Sequence, residues 1–122
     1  MLSKLSTLSI IALLSITINQ GLAKALTASG SSTGWRQVSS QRERSCARKG
    51  IEKMKILVFE GQIQNVPGHT NNSTRWIRGN NAIYNLVCTP TGDYIRVDLI
   101  CVDSCDSGSR NILSEIKKLM NW

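Results

Sequence analysis

Histidine, proline and aromatic residues are scarce in this 122-residue chain, which has one His, two Pro, one Phe, two Tyr and three Trp. His69 is the only imidazole, and no second ligand or nucleophile stands at a recognisable spacing from it, so it reads as a solvated loop residue. There is no glycine-rich phosphate loop, no G-x-S-x-G and no H-E-x-x-H. Asp93, Asp98, Asp103 and Asp106 are too spread for a calcium loop and suit turns and helix entry instead. No cysteine precedes Cys46, so an acylated N-terminal cysteine is not expected. No apolar run beyond the first 25 residues is long enough to span a bilayer. These absences leave no catalytic residue, no metal ligand set and no cofactor to expect.

The N-terminus reads as an export signal. Met1 and Lys4 give a short positive start, Leu8 to Ile18 is apolar and uncharged, and Gly21-Leu22-Ala23 and Ala23-Lys24-Ala25 are small-x-small cleavage sites. Eleven residues of helix cover roughly 16 Å, about half of a ~30 Å hydrocarbon core, which favours a cleaved signal over an anchor. The expected organisation is a signal peptide over 1–23, a flexible linker over 24–34, whose small polar residues bury little, and one domain over 35–122. The product is expected to be secreted or periplasmic.

The net charge of +7 is concentrated in one part of the chain. Residues 24–80 hold ten Lys/Arg against three acids, whereas residues 81–122 hold four against five. Cys46, Cys88, Cys101 and Cys105 make an even count, which in a short exported chain implies disulfides.

Ser40-Gln41-Arg42-Glu43 has the form of a capping box, and Cys46, Ala47, Gly50, Ile51 and Met54 then share one helical face, predicting a helix over about 40–54. Ile56 to Phe59 is β-branched and aromatic and predicts a first strand; Gly61 to Asn81 predicts mostly loop, with room for a short strand at 62–66. Ala82–Cys88 and Tyr94–Cys101 alternate around Pro90-Thr91-Gly92-Asp93, predicting a hairpin. Ile112, Leu113, Ile116, Leu119 and Met120 mark a closing helix. The expected fold class is α+β: a two-layer sandwich of helix, three-stranded antiparallel meander and helix, with both helices on one face.

A two-residue loop at Thr91-Gly92 sets Cys88 opposite Ile95 and Cys101 opposite Ala82. Cys88 and Cys101 are then about 20 Å apart along the sheet, beyond the ~7 Å between Cα atoms that a disulfide spans. Cys88–Cys105 fails likewise, leaving Cys46–Cys88 and Cys101–Cys105.

Three surfaces carry chemical interest. Arg42, Arg44, Lys49 and Lys53 project from the first helix away from Cys46 and Met54, a candidate contact for an anionic surface or polymer. Arg75-Trp76-Ile77-Arg78 interleaves basic and aromatic residues, as single-stranded nucleic-acid surfaces do; the competing reading is a core tryptophan beside a solvated rim. Cys101-x3-Cys105 leads from a strand towards a helix, but its spacing differs from the C-x-x-C of thiol oxidoreductases. Asn71-Asn72-Ser73-Thr74 holds two overlapping glycosylation sequons, meaningful only in a eukaryotic secretory pathway.

On Ser45-Cys46-Ala47-Arg48-Lys49-Gly50-Ile51, on Gly79 to Tyr84 running through Cys88-Thr89-Pro90-Thr91-Gly92, and on the closing helix, the chain resembles a loose group of small, largely uncharacterised exported bacterial proteins. In that group a helical cysteine, a strand ending in C-x-P, a further strand and a final helix follow a signal peptide. The resemblance implies an architecture and a location and contributes no catalytic residue; Cys101 and Cys105 depart from the pattern. The expected function is a non-catalytic exported binding or structural module. The alternatives are a small thiol-redox or hydrolytic enzyme and a cationic antimicrobial or effector protein.

Overall fold

A computed structural model describes residues 28–68 and 73–121. The expected signal peptide, His69 and the Asn71 and Asn72 sequons lie outside the described residues. The chain forms β1 (Ala28–Ser32), β2 (Arg36–Gln37), α1 (Glu43–Phe59), β3 (Gln64–Asn65), β4 (Arg75–Arg78), β5 (Ala82–Cys88), β6 (Tyr94–Val102) and α2 (Ser107–Leu119). Among the described residues this is an α+β fold with two helices and one six-stranded antiparallel sheet in the order β1-β6-β5-β4-β3, β2 also pairing with β6. No helix among the described residues is long and apolar enough to cross a membrane.

The β5–β6 hairpin has the expected register, Ala82 opposite Cys101 and Cys88 opposite Ile95. Its alternation buries Ala82, Tyr84, Leu86, Ile95, Val97, Leu99 and Cys101 on one face. On that face Gly50 of α1 lies against Leu86 and Ile95. The Tyr84 hydroxyl donates to the Ser109 carbonyl in α2 at 2.8 Å. Both helices therefore contact the same side of the sheet. The disulfides are the two the register allows, Cys46–Cys88 with Cα atoms 6.2 Å apart and Cys101–Cys105 at 5.2 Å.

The strand expected at Ile56–Phe59 is instead the last turn of α1. Leu57 completes the buried stripe of Cys46, Gly50 and Met54, and burial outweighs the weak strand preference of a four-residue run. A Schellman turn stops the helix: Gln62 N–H donates to the Leu57 carbonyl and Gly61 N–H to that of Val58, with Gly61 at φ +74°. The helix start differs too. Arg42 is the N-cap and makes no side-chain cap bond, and the Ser40 hydroxyl is buried without a hydrogen bond, so the capping box does not form. The start is held by the hairpin turn instead, since Gly92 packs directly on the Arg42 backbone.

The three-stranded meander is likewise corrected. β3 falls within the short strand allowed at 62–66, whereas the rest of the predicted loop contains β4, with Trp76 driven into the core at 1 % exposure. The predicted linker contains β1, which is ordered by its backbone ladder to β6 and needs no apolar side chains. Between β1 and β2 the register against β6 slips by one residue at Gly34, φ +71°. The Thr33 hydroxyl accepts the Val97 N–H at 3.0 Å beside this bulge. The extra residue reverses the alternation, turning Val38 into the core and Trp35 outward.

Two glycine substitutions separate strain from crowding. Gly34→Ala, with open space around it, is expected to lose about 1–2 kcal/mol from the left-handed backbone alone. Gly92→Ala adds a collision with the Arg42 backbone and is expected to lose clearly more in urea unfolding. Cys46→Ser, which opens a crosslink of sequence separation 42, is expected to cost about 4 kcal/mol in the same measurement.

Candidate functional site

The alternation that fills the core leaves the opposite sheet face uncovered by any described element. Ile77, Ile83, Ile100 and Val102 point there, and Ile83, Ile100 and Val102 are 41–48 % exposed, as are Trp35 and Tyr94. Isolated exposed apolar residues are ordinary, but a contiguous group on one face marks an interaction surface. The registers set Ile77 beside Ile83, Ile83 beside Ile100, and Ile100 beside Gly30, one apolar row across four strands. Val102 lies opposite Ala28 in the next row. With the Gly79–Asn81 turn these residues line an open depression of about 520 Å³.

A polar row follows, Arg75 beside Asn85, Asn85 beside Asp98, and Asp98 beside Ser32. Arg96 Nε pairs with Asp98 Oδ1 at 3.0 Å, and its guanidinium stacks on Trp35, 4.4 Å from the ring centroid. The face thus places an apolar trough alongside guanidinium groups, the chemistry that receives an apolar segment carrying an anionic group.

On the helix side, Arg78 Nη1 donates to both Asp106 oxygens at 3.1 and 3.2 Å and to Ser109 Oγ at 3.1 Å. Asp106 caps α2 by accepting from Ser109 N–H at 2.6 Å. That backbone N–H, followed by the Ser109 hydroxyl and Arg78, holds the Asp106 carboxyl below the ordinary aspartate range. Burial pushes the Tyr84 phenol up. Each of these groups has a partner, and the cluster fixes the start of α2 on the sheet.

The structure disperses the residues that the sequence groups. At about 100° per residue, Arg44 lies about 140° around α1 from Lys49 and about 180° from Lys53. Lys49 Nζ donates to the Ser39 carbonyl at 3.2 Å, and Arg42 sits at the N-cap against the hairpin turn. These four cations therefore form no single face. The segment Arg75–Arg78 alternates across the sheet: Arg75 joins the open face, Trp76 is core and Arg78 joins the Asp106 cluster. Cys101 and Cys105 are 2 % and 9 % exposed, and the Ser29 hydroxyl lies 3.9 Å from Cys105 Sγ.

Alternation alone does not reveal the open face, because one face of an antiparallel sheet is commonly solvated. A sequence signal existed: Leu99, Ile100, Cys101 and Val102 are consecutive apolar residues, and Ile83 and Val87 are apolar at outward positions of β5. A strand apolar on both sides has two surfaces to cover.

Because its folded value is depressed, Asp106 contributes stability at pH above the ordinary aspartate value of 3.8, and that contribution fades as pH falls below it. Asp106→Asn keeps a cap acceptor and loses the charge facing Arg78. Its melting temperature is expected to lie below that of the parent at neutral pH, with the gap closing under acid; a constant gap between about pH 7 and pH 2 contradicts this assignment.

No protein-family model, curated protein or solved structure matches this chain, so the open face is read from its own chemistry.

Proposed function

We propose that the chain is an exported, non-catalytic binding module whose ligand lies on the open sheet face. The observation that carries this reading is the group of large apolar side chains, 41–48 % exposed, on the one sheet face that no described element covers. Export is supported by the order of charge, apolar run and small residues at the N-terminus, by the resemblance to small exported bacterial proteins, and by two disulfides of the kind that persist in oxidising compartments. A binding role is favoured over thiol-redox chemistry by the burial of Cys101 and Cys105.

The ligand class is an amphiphile with an apolar segment and an anionic group. Covering the exposed half of Ile83 and of Ile100 contributes roughly 1 kcal/mol each, and Arg75, whose guanidinium has no partner among the described residues, receives the anion. The basic residues of the first helix suggest an anionic partner; the open face offers it one guanidinium next to an apolar floor, which the dispersed cations of α1 do not.

The probe is dodecyl phosphate below its micelle concentration, with dodecyl maltoside as the uncharged comparison. Amide shifts are expected at Ile77, Ile83, Ile100, Val102 and Arg75, stronger with the phosphate, and affinity is expected to fall at least tenfold in Ile83→Glu/Ile100→Glu. Shifts confined to Arg44, Lys49 and Lys53 would move the site to α1, and unchanged spectra at millimolar probe would remove the proposal.

A further inference from the structure

The free edge of β1 has a self-complementary pattern. Thr33 N–H donates to the Val97 carbonyl at 3.0 Å, continuing the β1–β6 register in which Gly30 faces Ile100. Antiparallel pairing alternates, so Ser29 and Ser31 bond β6 while the N–H and C=O groups of Ala28, Gly30 and Ser32 turn away from it. β1 pairs with β6 alone, which leaves those groups without a ladder partner among the described residues.

Natural edge strands are kept short or carry lysine, proline or a bulge to prevent pairing. The opposite edge follows this rule: β3 has two residues, and Pro67 stands two positions after it. β1 does not. Its five residues, Ala-Ser-Gly-Ser-Ser, contain neither charge nor proline, in a chain of net charge +7.

We propose that β1 is the interface through which two copies of this chain pair edge to edge. The outward residues 28, 30 and 32 are symmetric about Gly30. A two-fold axis there sets Gly30 opposite its own copy and Ala28 opposite Ser32, so all the outward groups of both strands are satisfied at once. The interface is isologous and closes at two copies, since the short β3 edge does not propagate it. Only small side chains meet, and no like charges stand opposite one another. The Ile77–Ile83–Ile100–Gly30 row then runs on into its copy, so that the two open faces become one. This goes beyond the ligand proposed above and does not depend on it.

Sedimentation and light scattering of the purified disulfide-bonded protein, from about 10 µM to 1 mM, test the pairing. A dimer is expected whose fraction rises with salt, because screening weakens the repulsion between two cationic copies; anion binding has the opposite salt dependence. Amide exchange at Ala28, Gly30 and Ser32 is expected to slow as the dimer forms. Ala28→Pro removes an outward N–H at the first strand residue, where proline is tolerated, and Ser32→Lys sets a charge on the edge. Each is expected to weaken the dimer at least tenfold with an unchanged far-ultraviolet spectrum. A monomer at 1 mM in high salt overturns the proposal, as does a dimer that survives Ala28→Pro and dissociates in Ile100→Glu. Dodecyl phosphate titrated into monomeric Ala28→Pro reports on the open face separately.

Discussion

Strand β6 is the constraint on which the other elements depend. Its nine residues pair with β5 along one edge and with β1 and β2 along the other, so both of its backbone edges are occupied for most of its length. Ile95, Val97, Leu99 and Cys101 form the floor on which the helices rest. A slip of one residue would exchange that floor with Tyr94, Arg96, Asp98 and Ile100 and bury an ion pair. The crosslinks oppose such a slip at both ends: Cys88, opposite Ile95, is tied to α1, and Cys101 is tied to the entry of α2.

The hairpin was legible because alternation with period two, a turn of Pro-Thr-Gly-Asp and the reach of a disulfide are all local or nearly local signals. They yielded register and both cysteine pairs together. The end of α1 was not legible in the same way. Ile56 to Phe59 has strand composition, and what overrides it is the burial of Leu57 together with Gly61 at the left-handed position after the helix. The glycine was visible in the sequence; the partner that buries Leu57 was not. The capping box failed for a related reason, since contact between Gly92 and the Arg42 backbone sets where the first turn begins.

The candidate site shows the limit most clearly. Ile77, Ile83 and Ile100 stand on three different strands and form one row only after those strands take their registers. Trp35 reaches the same face because a single extra residue at Gly34 reverses the alternation, which no composition window reveals. Arg75, Trp76 and Arg78 are neighbours in the chain, yet the pleat and the core separate them into three environments. Basic and aromatic residues in succession describe a surface only where the backbone presents them to the same side.

The sequence by itself determined the order of elements from Ala82 onward, the pairing of the four cysteines and the absence of recognised catalytic motifs, because these follow from spacing over a few residues or from composition. The tertiary structure decided the length of α1, the recruitment of 28–32 and 75–78 into the sheet, and the existence of an apolar face that no described element covers. Each of these depends on which distant backbone or side chain lies opposite. An edge strand of Ala-Ser-Gly-Ser-Ser has almost no preference of its own; it becomes a strand because β6 offers a row of unpaired donors and acceptors, and leaving them unpaired costs more than ordering five small residues.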